Sequence, residues 1–364
     1  MKSNGNVVCF SRMYQAVTHL SQVARVMPST FVTTRRSTLK AFRHNYPDLH
    51  CALAPRFLGA LSKGGRLLRN ADLIVTGSPY KDFLAQYSAK KVNVFHGTFS
   101  RLSRDYILEH LHFDLVCVIG PRMLQMFKRH PESESMNLVQ TGYLPFCQFP
   151  EQSSEHKIEV LSRMGLNPEK KTVVYTSARR NSSSWKYVAR QLILTAPKEF
   201  NLILRPHPSQ ALTPRSTDRK SFLDLTKLIG ERPGAYLDLG YQHLADLLSV
   251  TDMVISDANS PSEESMFYDV PQLFIETEKL SKDVSRRVGL DSGMHPDDVE
   301  RMLTLYDCGE RLFVKTPPDF SRLLDKTTES AYLYSKQRKT YFEWVFGSRD
   351  RLANHRVVEA INQI

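Results

Sequence analysis

The chain has 364 residues, of which 41% are hydrophobic and 24% are charged, a composition typical of a globular protein long enough for two domains. No apolar run approaches the roughly 18 residues of a membrane span, and residues 1–10 lack the charged-then-apolar pattern of a signal peptide. Five scattered cysteines without a C-x-x-C pair favour neither a disulfide framework nor a structural zinc site. We therefore expect a cytoplasmic protein.

The excess positive charge lies in the first part of the chain. Residues 1–150 contain 19 Lys and Arg against 8 Asp and Glu, whereas the remaining residues contain 30 of each. This asymmetry indicates a surface for an anionic polymer or an anionic membrane, because summed charges attract oppositely charged partners. For any single cluster the alternative is a solvated basic face without a partner. The candidate residues are Arg35, Arg36, Lys40, Arg43, Lys63, Arg66 and Arg69.

Short apolar segments alternate with amphipathic stretches of helical length, which is typical of β-α-β units and a parallel sheet. In the first half the pattern predicts strands at residues 7–10, 73–76, 92–95, 115–119 and 138–140. It predicts helices at residues 14–26, 80–88 and 121–129. The last of these helices has a proline in its first turn, where proline is well tolerated.

The polar segment 150–156 is predicted to be a linker, after which the same alternation begins again. The second half is predicted to have strands at residues 172–176, 202–204, 236–237, 253–256 and 272–275, and helices at 185–194, 243–249, 262–268 and 296–305. Residues 333–364 also have a helical pattern. The sequence thus predicts an α/β protein with two Rossmann-like domains, residues 1–150 and 157–332, which face each other across a cleft. By analogy with two-lobed transferases, we expect the C-terminal helices to pack back on the first domain.

Three polar clusters each follow a predicted strand. They are His96-Gly97-Thr98, Arg205-Pro206-His207-Pro208 and Asp257-Ala258-Asn259-Ser260. In an open α/β sheet, ligands bind beyond the carboxyl ends of the strands, so residues that follow a strand are where chemistry is expected. A single histidine after a strand is more often structural, and it is the repetition that predicts a site.

The third cluster leads from the end of a strand into a helix. Asn259 and Ser260 stand near the predicted first turn, where free backbone N–H groups and the helix dipole favour a phosphate. Glu264, one turn later, is placed to bind ribose hydroxyls. The alternative is that Ser260 or Ser262 only caps the helix and that Glu263 or Glu264 is its capping-box partner.

The other two clusters contain the histidines. Arg205 and His207 flank a rigid proline, and both side chains can donate to a pyrophosphate, although a proline-bounded loop with a surface arginine remains the alternative. His96 precedes a glycine that permits close backbone approach, and histidine is the commonest general base. A role for His96 in the core is the alternative to catalysis.

Several nucleotide-binding motifs are missing from the sequence. It contains neither G-x-x-x-x-G-K-[ST] nor G-x-G-x-x-G, which argues against a P-loop enzyme and a standard dinucleotide enzyme. No His, Cys and Asp cluster has the spacing of metal ligands. We therefore expect a metal-independent transfer. We also expect that the protein uses no cofactor and has no nucleic-acid partner.

Together the three clusters resemble motifs of the CDP-glycerol glycerophosphotransferases, which synthesise teichoic acid and capsule polymers on a GT-B fold. Residues 96–98 are similar to the H-G-T element of that family, residues 205–208 to its R-x-H-P element, and residues 257–260 with Glu264 to its D-Y-S-S segment. The segment 175–180 and the tail 346–361 are also similar, so the likeness spans residues from about 90 to the end.

The resemblance implies a role for each residue. His96 would be the base that deprotonates the acceptor hydroxyl. The donor pyrophosphate would be bound by Arg205, His207, Asn259 and Ser260; the nucleotide by Ser177, Asp257 and Glu264; and the acceptor by Gly97, Thr98 and Arg101. Glycerol phosphate would then pass from CDP-glycerol to a cell-surface polymer or lipid-linked acceptor, and CMP would leave.

A departure from the family pattern after H-G-T leaves the acceptor contact open, and a likeness to a second family leaves the donor open. The family continues H-G-T with Pro and Lys, whereas Phe99, Ser100 and Arg101 follow here. Residues 257–264 are also similar to the D-S-G-G-x-Q-E-E segment of UDP-N-acetylglucosamine 2-epimerases, which share the GT-B fold. The alternatives are a glycosyltransferase that uses a CMP- or UDP-sugar in capsule or lipopolysaccharide synthesis, and a non-catalytic module that binds polyanions.

Overall fold

The computed structural model describes residues 5–55, 57, 59–240 and 242–364, so residues 1–4 of the N-terminal stretch considered above lie outside it. The chain forms two compact units. Unit 1 comprises Met1–Gln148 together with Glu343–Ile364, and unit 2 comprises Phe149–Phe342. The last residues of the chain therefore belong to the unit that contains the first ones.

The described residues of unit 1 contain a seven-stranded parallel sheet. Its strands are β1 (Val7–Phe10), β2 (Thr30–Thr33), β3 (Cys51–Leu53), β4 (Leu73–Thr76), β5 (Lys90–Asn93), β6 (Leu115–Val118) and β7 (Leu138–Gln140). They are arranged in the order β3-β2-β1-β4-β5-β6-β7, so the chain reverses its direction of winding between β1 and β4. Such a reversal is the topological switch point, beside which ligands bind in doubly wound sheets.

Helices connect these strands. They are α1 (Val17–Val26), α2 (Arg36–Asn45), α3 (Lys63–Arg69), α4 (Lys81–Leu84), α5 (Arg104–Leu108) and α6 (Pro121–Lys128). The strands are short and apolar because both faces of a parallel sheet are covered, and all four residues of β4 and of β6 are buried.

Unit 2 repeats the architecture with a six-stranded parallel sheet in its described residues. Its strands are β8 (Lys171–Thr176), β9 (Phe200–Arg205), β10 (Ala235–Leu237), β11 (Met253–Ser256), β12 (Gln272–Glu276) and β13 (Glu310–Phe313). The order β10-β9-β8-β11-β12-β13 places the switch point between β8 and β11.

The helices of unit 2 are α7 (Ser154–Arg163), α8 (Trp185–Thr195), α9 (Pro208–Ala211), α10 (Ser216–Glu231), α11 (Leu244–Ser249), α12 (Ser260–Ser265), α13 (Lys282–Asp291), α14 (Pro296–Leu303) and α15 (Leu323–Glu329). Two further helices end the chain, α16 (Ser335–Phe346) and α17 (Ala353–Ile361). The division between the units falls within α16.

Each unit has its own apolar core. In unit 1, α17 contributes Val357 and Ile361 to a cluster that also contains Leu20 of α1 and Val75 of β4. In unit 2, helices α8 and α10 pack on the sheet around Trp185, Phe222 and Leu202. Because burial of one such side chain contributes roughly 1.5–3 kcal/mol, each core stabilises its own sheet.

The structure differs from the sequence-based prediction at several elements. The predicted linker at residues 150–156 was wrong at its second half, because α7 begins at Ser154 and the side chain of Ser153 accepts a hydrogen bond from the N–H of His156. Serine there caps a helix. The sequence pattern also missed β2, β3 and β13, which are three- or four-residue strands with polar neighbours. The predicted strand at residues 92–95 begins and ends two residues earlier, as β5.

No helix among the described residues is both long and apolar enough to cross a membrane.

Candidate functional site

The first candidate cluster lies at the carboxyl edge of the unit 1 sheet. Thr76, the last residue of β4, pairs with Phe10 of β1 on one side and with Asn93 of β5 on the other. The three strands therefore end at one level. The loops that follow them, which contain Arg12, Ser78 and His96, are consequently neighbours.

His96 is held in one orientation by the loop that follows β4. Its Nδ1 atom lies within hydrogen-bond distance of the Gly77 carbonyl and 3.0 Å from the Ser78 hydroxyl. A carbonyl only accepts, so we assign the ring proton to Nδ1, which leaves a lone pair on Nε2. Burial lowers the pKa of His96, whereas the bond to Gly77 raises it. The neutral ring with a basic Nε2 is the form that a general base requires.

The backbone around His96 is strained. Phe95 has φ 58°, Gly97 has φ 137° and Phe99 has φ 47°. A positive φ is uncommon for phenylalanine, and such conformations persist only where the surroundings hold them. The Asn93 side chain contributes by accepting a 2.8 Å hydrogen bond from the Phe95 N–H. The loop is therefore built to present one ring in one place.

A buried arginine holds the other end of this loop. Arg122 of α6 is 1% exposed, and its Nη2 donates to the Thr98 carbonyl over 2.7 Å. Its guanidinium also lies 5.6 Å from the centre of the Trp344 ring. Thr98 itself is 2% exposed, whereas Arg101 is exposed. Of the residues predicted to bind an acceptor, Arg101 is thus the accessible charge and Thr98 is held inside the unit.

The second and third clusters meet at the carboxyl edge of the unit 2 sheet. Thr176 of β8 pairs with Arg205 of β9 on one side and with Ser256 of β11 on the other. Ser177, His207 and Asn259 therefore follow three adjacent strands from one level. The switch point of this sheet lies among them.

His207 has the opposite hydrogen-bond arrangement from His96. Its Nδ1 accepts from the Ser209 N–H over 3.1 Å and lies 2.8 Å from the Ser209 hydroxyl. We therefore assign the proton to Nε2, which makes this atom a donor. Burial lowers the pKa of His207 to about 4, assisted by the charges of Arg179 and Arg180. A neutral Nε2–H donor suits a pyrophosphate oxygen.

Arg205 is largely committed inside unit 2. It is 9% exposed, forms an ion pair with the buried Asp238, and donates to the Gln242 carbonyl over 3.0 Å. A carboxylate so close offsets the guanidinium charge. The Arg205 charge is therefore shared with Asp238 rather than fully available to a ligand.

Asp257 ties together the polypeptide after β8. It is 1% exposed, and its carboxylate accepts from the Ala178 N–H over 2.6 Å and the Ser184 N–H over 3.0 Å. Burial raises the pKa of Asp257 to about 6, while these bonds lower it. Asn259 makes two bonds to Thr176, from Nδ2 to the carbonyl over 3.1 Å and to Oδ1 from the hydroxyl over 3.3 Å. Both side chains thus shape the loops of the cluster.

Ser177 is the candidate whose polar atom is left without a partner. It is 3% exposed, and its hydroxyl is buried with no hydrogen-bond partner in the part of the chain described. An unsatisfied buried group costs about 1–3 kcal/mol, which a ligand bond can recover. Ser260 begins α12 and is half-buried, and Glu264 is 7% exposed.

Two further residues were not predicted as site residues. Ser78 follows β4, and its hydroxyl lies 3.0 Å from Nδ1 of His96. Arg179 is exposed, and its charge acts on His207. The resemblance of residues 175–180 to the family segment contained the signal for Arg179. Among the described residues no group of three or more His, Cys, Asp and Glu side chains could hold a metal ion.

The two Rossmann-like units define a GT-B fold, which confirms the predicted fold class. A histidine-to-asparagine variant of the wall teichoic acid polymerase TagF, soaked with CDPG, is similar to this chain: 15% identity over 98% of this chain and 88% of that one, with a TM-score of 0.70. Anabaena HepE in complex with UDP-glucose is 12% identical over 99% of this chain and 100% of that one, with a TM-score of 0.55. Staphylococcus aureus MnaA with UDP is 13% identical over 99% of this chain and 96% of that one, with a TM-score of 0.57.

No protein-family model matches the sequence, and no curated protein matches it. At identities of 12–15%, the solved structures establish the shared fold and nothing finer.

Proposed function

We propose that the protein transfers glycerol phosphate, or a related phosphopolyol, from a CDP-linked donor to a hydroxyl of a cell-surface polymer or lipid-linked acceptor, and releases CMP. The observation that carries the proposal is the contrast between two histidines at strand ends of a GT-B fold. His96 has a basic Nε2, and His207 has an Nε2–H donor. These are the two properties that phosphoryl transfer to a hydroxyl needs.

In the proposed reaction, Nε2 of His96 takes the proton of the acceptor hydroxyl. The oxygen of that hydroxyl attacks the phosphorus that bears the glycerol. The bond from this phosphorus to the oxygen that bridges to CMP breaks, and CMP leaves with that electron pair. His207 donates to the pyrophosphate, and the exposed Arg179 supplies a positive charge near His207. Positioning and charge stabilisation carry most of such a reaction, since little covalent work falls to the protein.

Unit 2 supplies the proposed donor site. The Ser177 hydroxyl, the His207 Nε2–H and the exposed Arg179 follow β8 and β9, while Asn259 and Ser260 follow β11. We propose that these groups bind the diphosphate, with Glu264 on the ribose. Asp257 acts here through the loop that it holds, because its described bonds run to Ala178 and Ser184.

A second candidate is transfer of a sugar from a CMP- or UDP-linked donor. It is favoured by the likeness to HepE, which was solved with UDP-glucose, and to MnaA, which was solved with UDP. The same residues would bind the diphosphate of a UDP-sugar or the single phosphate of a CMP-sugar. The acceptor oxygen would attack the sugar carbon rather than phosphorus, and UDP or CMP would leave. When each donor is supplied separately, release of UDP or of CMP shows which donor the protein uses.

The acceptor is proposed to be anionic and held at the inner face of the cell membrane. Residues 1–150 contain 19 Lys and Arg against 8 Asp and Glu, which suits an anionic polymer or lipid as a partner. The reaction is proposed to need neither a metal ion nor a cofactor.

The test is incubation of the full-length protein with CDP-glycerol, CDP-ribitol, UDP-N-acetylglucosamine and CMP-sugars, with the released nucleotide measured. CMP from CDP-glycerol is expected, whereas UDP or CMP from a sugar donor would favour the second candidate. His96→Gln is expected to lower kcat about 100-fold or more and to spare the donor Kd. His207→Ala is expected to weaken donor binding about 10-fold.

His50→Gln provides the matched control, because His50 is an exposed histidine of unit 1. It is expected to leave both the donor Kd and the turnover unchanged. An equal loss of donor binding in His96→Gln and His207→Ala would contradict the separate roles. Failure of every donor with the wild-type protein would reject the transferase.

A further inference from the structure

A cavity of about 730 Å³ lies in unit 1, beside the loops that follow β1, β2 and β3. Its volume is within the range of about 300–1,000 Å³ that is usual for small-molecule sites. Arg12 lies two residues beyond β1, Arg35 lies two residues beyond β2, and Arg69 ends α3. All three line the cavity, and Arg12 was not among the residues predicted from the sequence to bind a partner.

The cavity is strongly basic. Among its twelve described lining residues, three are arginines and none is Asp or Glu. The surrounding sequence is equally one-sided, since residues 1–71 contain eleven Lys and Arg and a single acidic residue, Asp48. Arginine is the natural ligand of phosphate because it is always charged and can donate two parallel hydrogen bonds. The charge and chemistry of this cavity therefore indicate a phosphate-bearing ligand.

Arg12 is fixed in place before any ligand arrives. Its guanidinium lies 4.5 Å from the centre of the Phe83 ring and 5.5 Å from that of Tyr80. Its Nε atom is buried and has no hydrogen-bond partner among the described residues. A stacked guanidinium loses little further freedom on binding, and a ligand oxygen can satisfy the buried donor.

A second arginine, Arg69, also lines the cavity. Tyr87 lines the cavity, and burial raises the pKa of its hydroxyl while the charges of Arg69 and Arg12 lower it. Both guanidinium groups thus act on one side chain. Because Arg12, Arg35 and Arg69 all line the cavity, a phosphate bound in it can accept hydrogen bonds from more than one guanidinium group.

The loops that build the cavity also hold His96. The Arg12 N–H donates to the Tyr80 hydroxyl over 3.1 Å, and this hydroxyl lies 3.2 Å from that of Ser11. Ser78, two residues before Tyr80, contacts the His96 ring. The loop that contains Arg12 thus contacts the loop that positions His96. This favours the acceptor, whose hydroxyl His96 deprotonates in the proposed reaction, over the donor as the occupant of the cavity.

We propose that the cavity lined by Arg12, Arg35 and Arg69 binds a phosphate group of the acceptor, a phosphomonoester or phosphodiester near the hydroxyl that His96 deprotonates. This inference rests on the proposed transfer to a hydroxyl. It adds the requirement that the acceptor is itself phosphorylated, and it assigns the site that recognises the phosphate.

The test measures binding to the full-length protein by calorimetry at low ionic strength, without any donor. The probes are glycerol 3-phosphate, glycerophosphoglycerol and uncharged glycerol. Arg35→Gln and Arg69→Gln are expected to weaken binding of the two phosphates about 10-fold or more. Arg25→Gln is the matched control, since Arg25 is an exposed arginine of α1 and is not among the described lining residues. It is expected to change binding less than about twofold.

A sedimentation assay with phosphatidylcholine vesicles that contain phosphatidylglycerol separates a free phosphate from a lipid headgroup. If glycerophosphoglycerol competes with the vesicles in the wild type but not in Arg35→Gln, the headgroup phosphate enters the cavity. If it binds in an Arg35-dependent manner without displacing vesicles, the cavity takes a phosphate other than that of the lipid. Equal losses in Arg35→Gln and Arg25→Gln, or binding of glycerol as tight as that of its phosphate, would overturn the proposal.

Failure of the proposed function has a different signature. If the protein releases no nucleotide from any donor, yet binds glycerol 3-phosphate through Arg35 and Arg69, the transferase proposal is rejected and the phosphate site stands. If the protein releases nucleotide from a donor, but Arg35→Gln leaves the acceptor KM unchanged, only the proposal of the phosphate site is rejected.

Discussion

His96 gives the proposed chemistry a definite dependence on pH. Burial lowers its pKa, so the ring stays neutral below the ordinary histidine value of about 6.5. A general base works in the neutral form, so kcat/KM should stay level as the pH falls through about 6.5 and decline only as the pH passes the lowered pKa. The measurement is a profile of kcat/KM against pH for the wild type, with saturating donor.

The corresponding control is His96→Gln, whose residual activity should lack this acidic decline. His207 does not complicate the profile near neutrality, because its pKa is lowered to about 4. An acidic decline centred above pH ~6.5 in the wild type, or one that survives in His96→Gln, would contradict the assignment of His96 as the base.

Substitution of Ser177, whose buried hydroxyl has no hydrogen-bond partner in the described residues, tests whether this residue binds the donor or only stabilises the fold. Ser177→Ala removes a buried group that has no partner in the described residues, so the free energy of unfolding should stay level or rise by about 1 kcal/mol. The donor Kd should rise roughly 3- to 10-fold, because the ligand loses one hydrogen bond. Thermal unfolding and donor titration measure the two effects.

Ser183→Ala supplies the contrast, because the Ser183 hydroxyl accepts a 3.0 Å hydrogen bond from the Trp185 N–H where α8 begins. Loss of this hydrogen bond at the start of α8 should cost about 1 kcal/mol of stability and should leave the donor Kd unchanged. If Ser177→Ala behaved like Ser183→Ala in both measurements, Ser177 would be structural.

At the scale of elements, the central strands were predictable because they are apolar runs followed by turn residues. β1, β4, β7 and β11 have the predicted limits, and the fold class followed from their alternation with helices. The missed strands β2 and β3 carry little of this signal: β2 (Thr30–Thr33) is followed by two exposed arginines, and β3 has only three residues. Their arginine-lined cavity was missed with them.

The roles within the site were less predictable than its position. Strand ends gave the location of His96, His207 and Asn259, since sheet topology brings the ends of adjacent strands together. Whether a histidine donates or accepts depends on its partner, here the Gly77 carbonyl or the Ser209 N–H. The pairing of Arg205 with Asp238 spans 33 residues and leaves no local pattern in the sequence.

The close approach of the loops after β4 and β5 depends on Gly77. A Cβ atom at this position would lie 2.8 Å from the Phe95 carbonyl oxygen and 3.0 Å from the His96 Cβ. Gly77→Ala should therefore push the two loops apart, lower the free energy of unfolding by roughly 1–3 kcal/mol, and reduce kcat more than it alters the donor Kd. Chemical denaturation and steady-state kinetics measure these effects.

Gly230→Ala is the matched control for Gly77→Ala. Gly230 lies near the end of α10, and an added Cβ would have no atom of the described residues within 4 Å beyond the two adjacent residues and the nearby helix backbone. Alanine favours a helix over glycine by roughly 0.5–1 kcal/mol, so this change should leave stability equal or improved, with normal kinetics. A Gly77→Ala protein with wild-type kcat would mean that the position of the His96 ring does not depend on this contact.

At the scale of the whole molecule, the chain begins and ends in the same unit. The predicted boundary at residue 150 and the C-terminal helices from residue 333 were argued from pattern and analogy, while the contacts assign Glu343–Ile364 to unit 1. Helix α17 buries Val357 and Ile361 beside Leu20 of α1, about 340 residues earlier in sequence. Nothing local in the tail indicates this partner, since its apolar positions would suit any apolar surface.

This assignment predicts how damage to the tail spreads. Val357→Ala removes two methyl groups from a fully buried side chain of α17 and should cost roughly 1–3 kcal/mol. Because the loss falls in the core of unit 1, hydrogen exchange should accelerate in β1, β4 and α1, while β8, β9 and α8 keep the wild-type rate. Val188→Ala in α8 is the matched change in unit 2, since Val188 is equally buried, and its effect should appear in β8 and β9. Faster exchange in β8 and β9 for Val357→Ala, with β1 and β4 unaltered, would show that the tail stabilises the other unit.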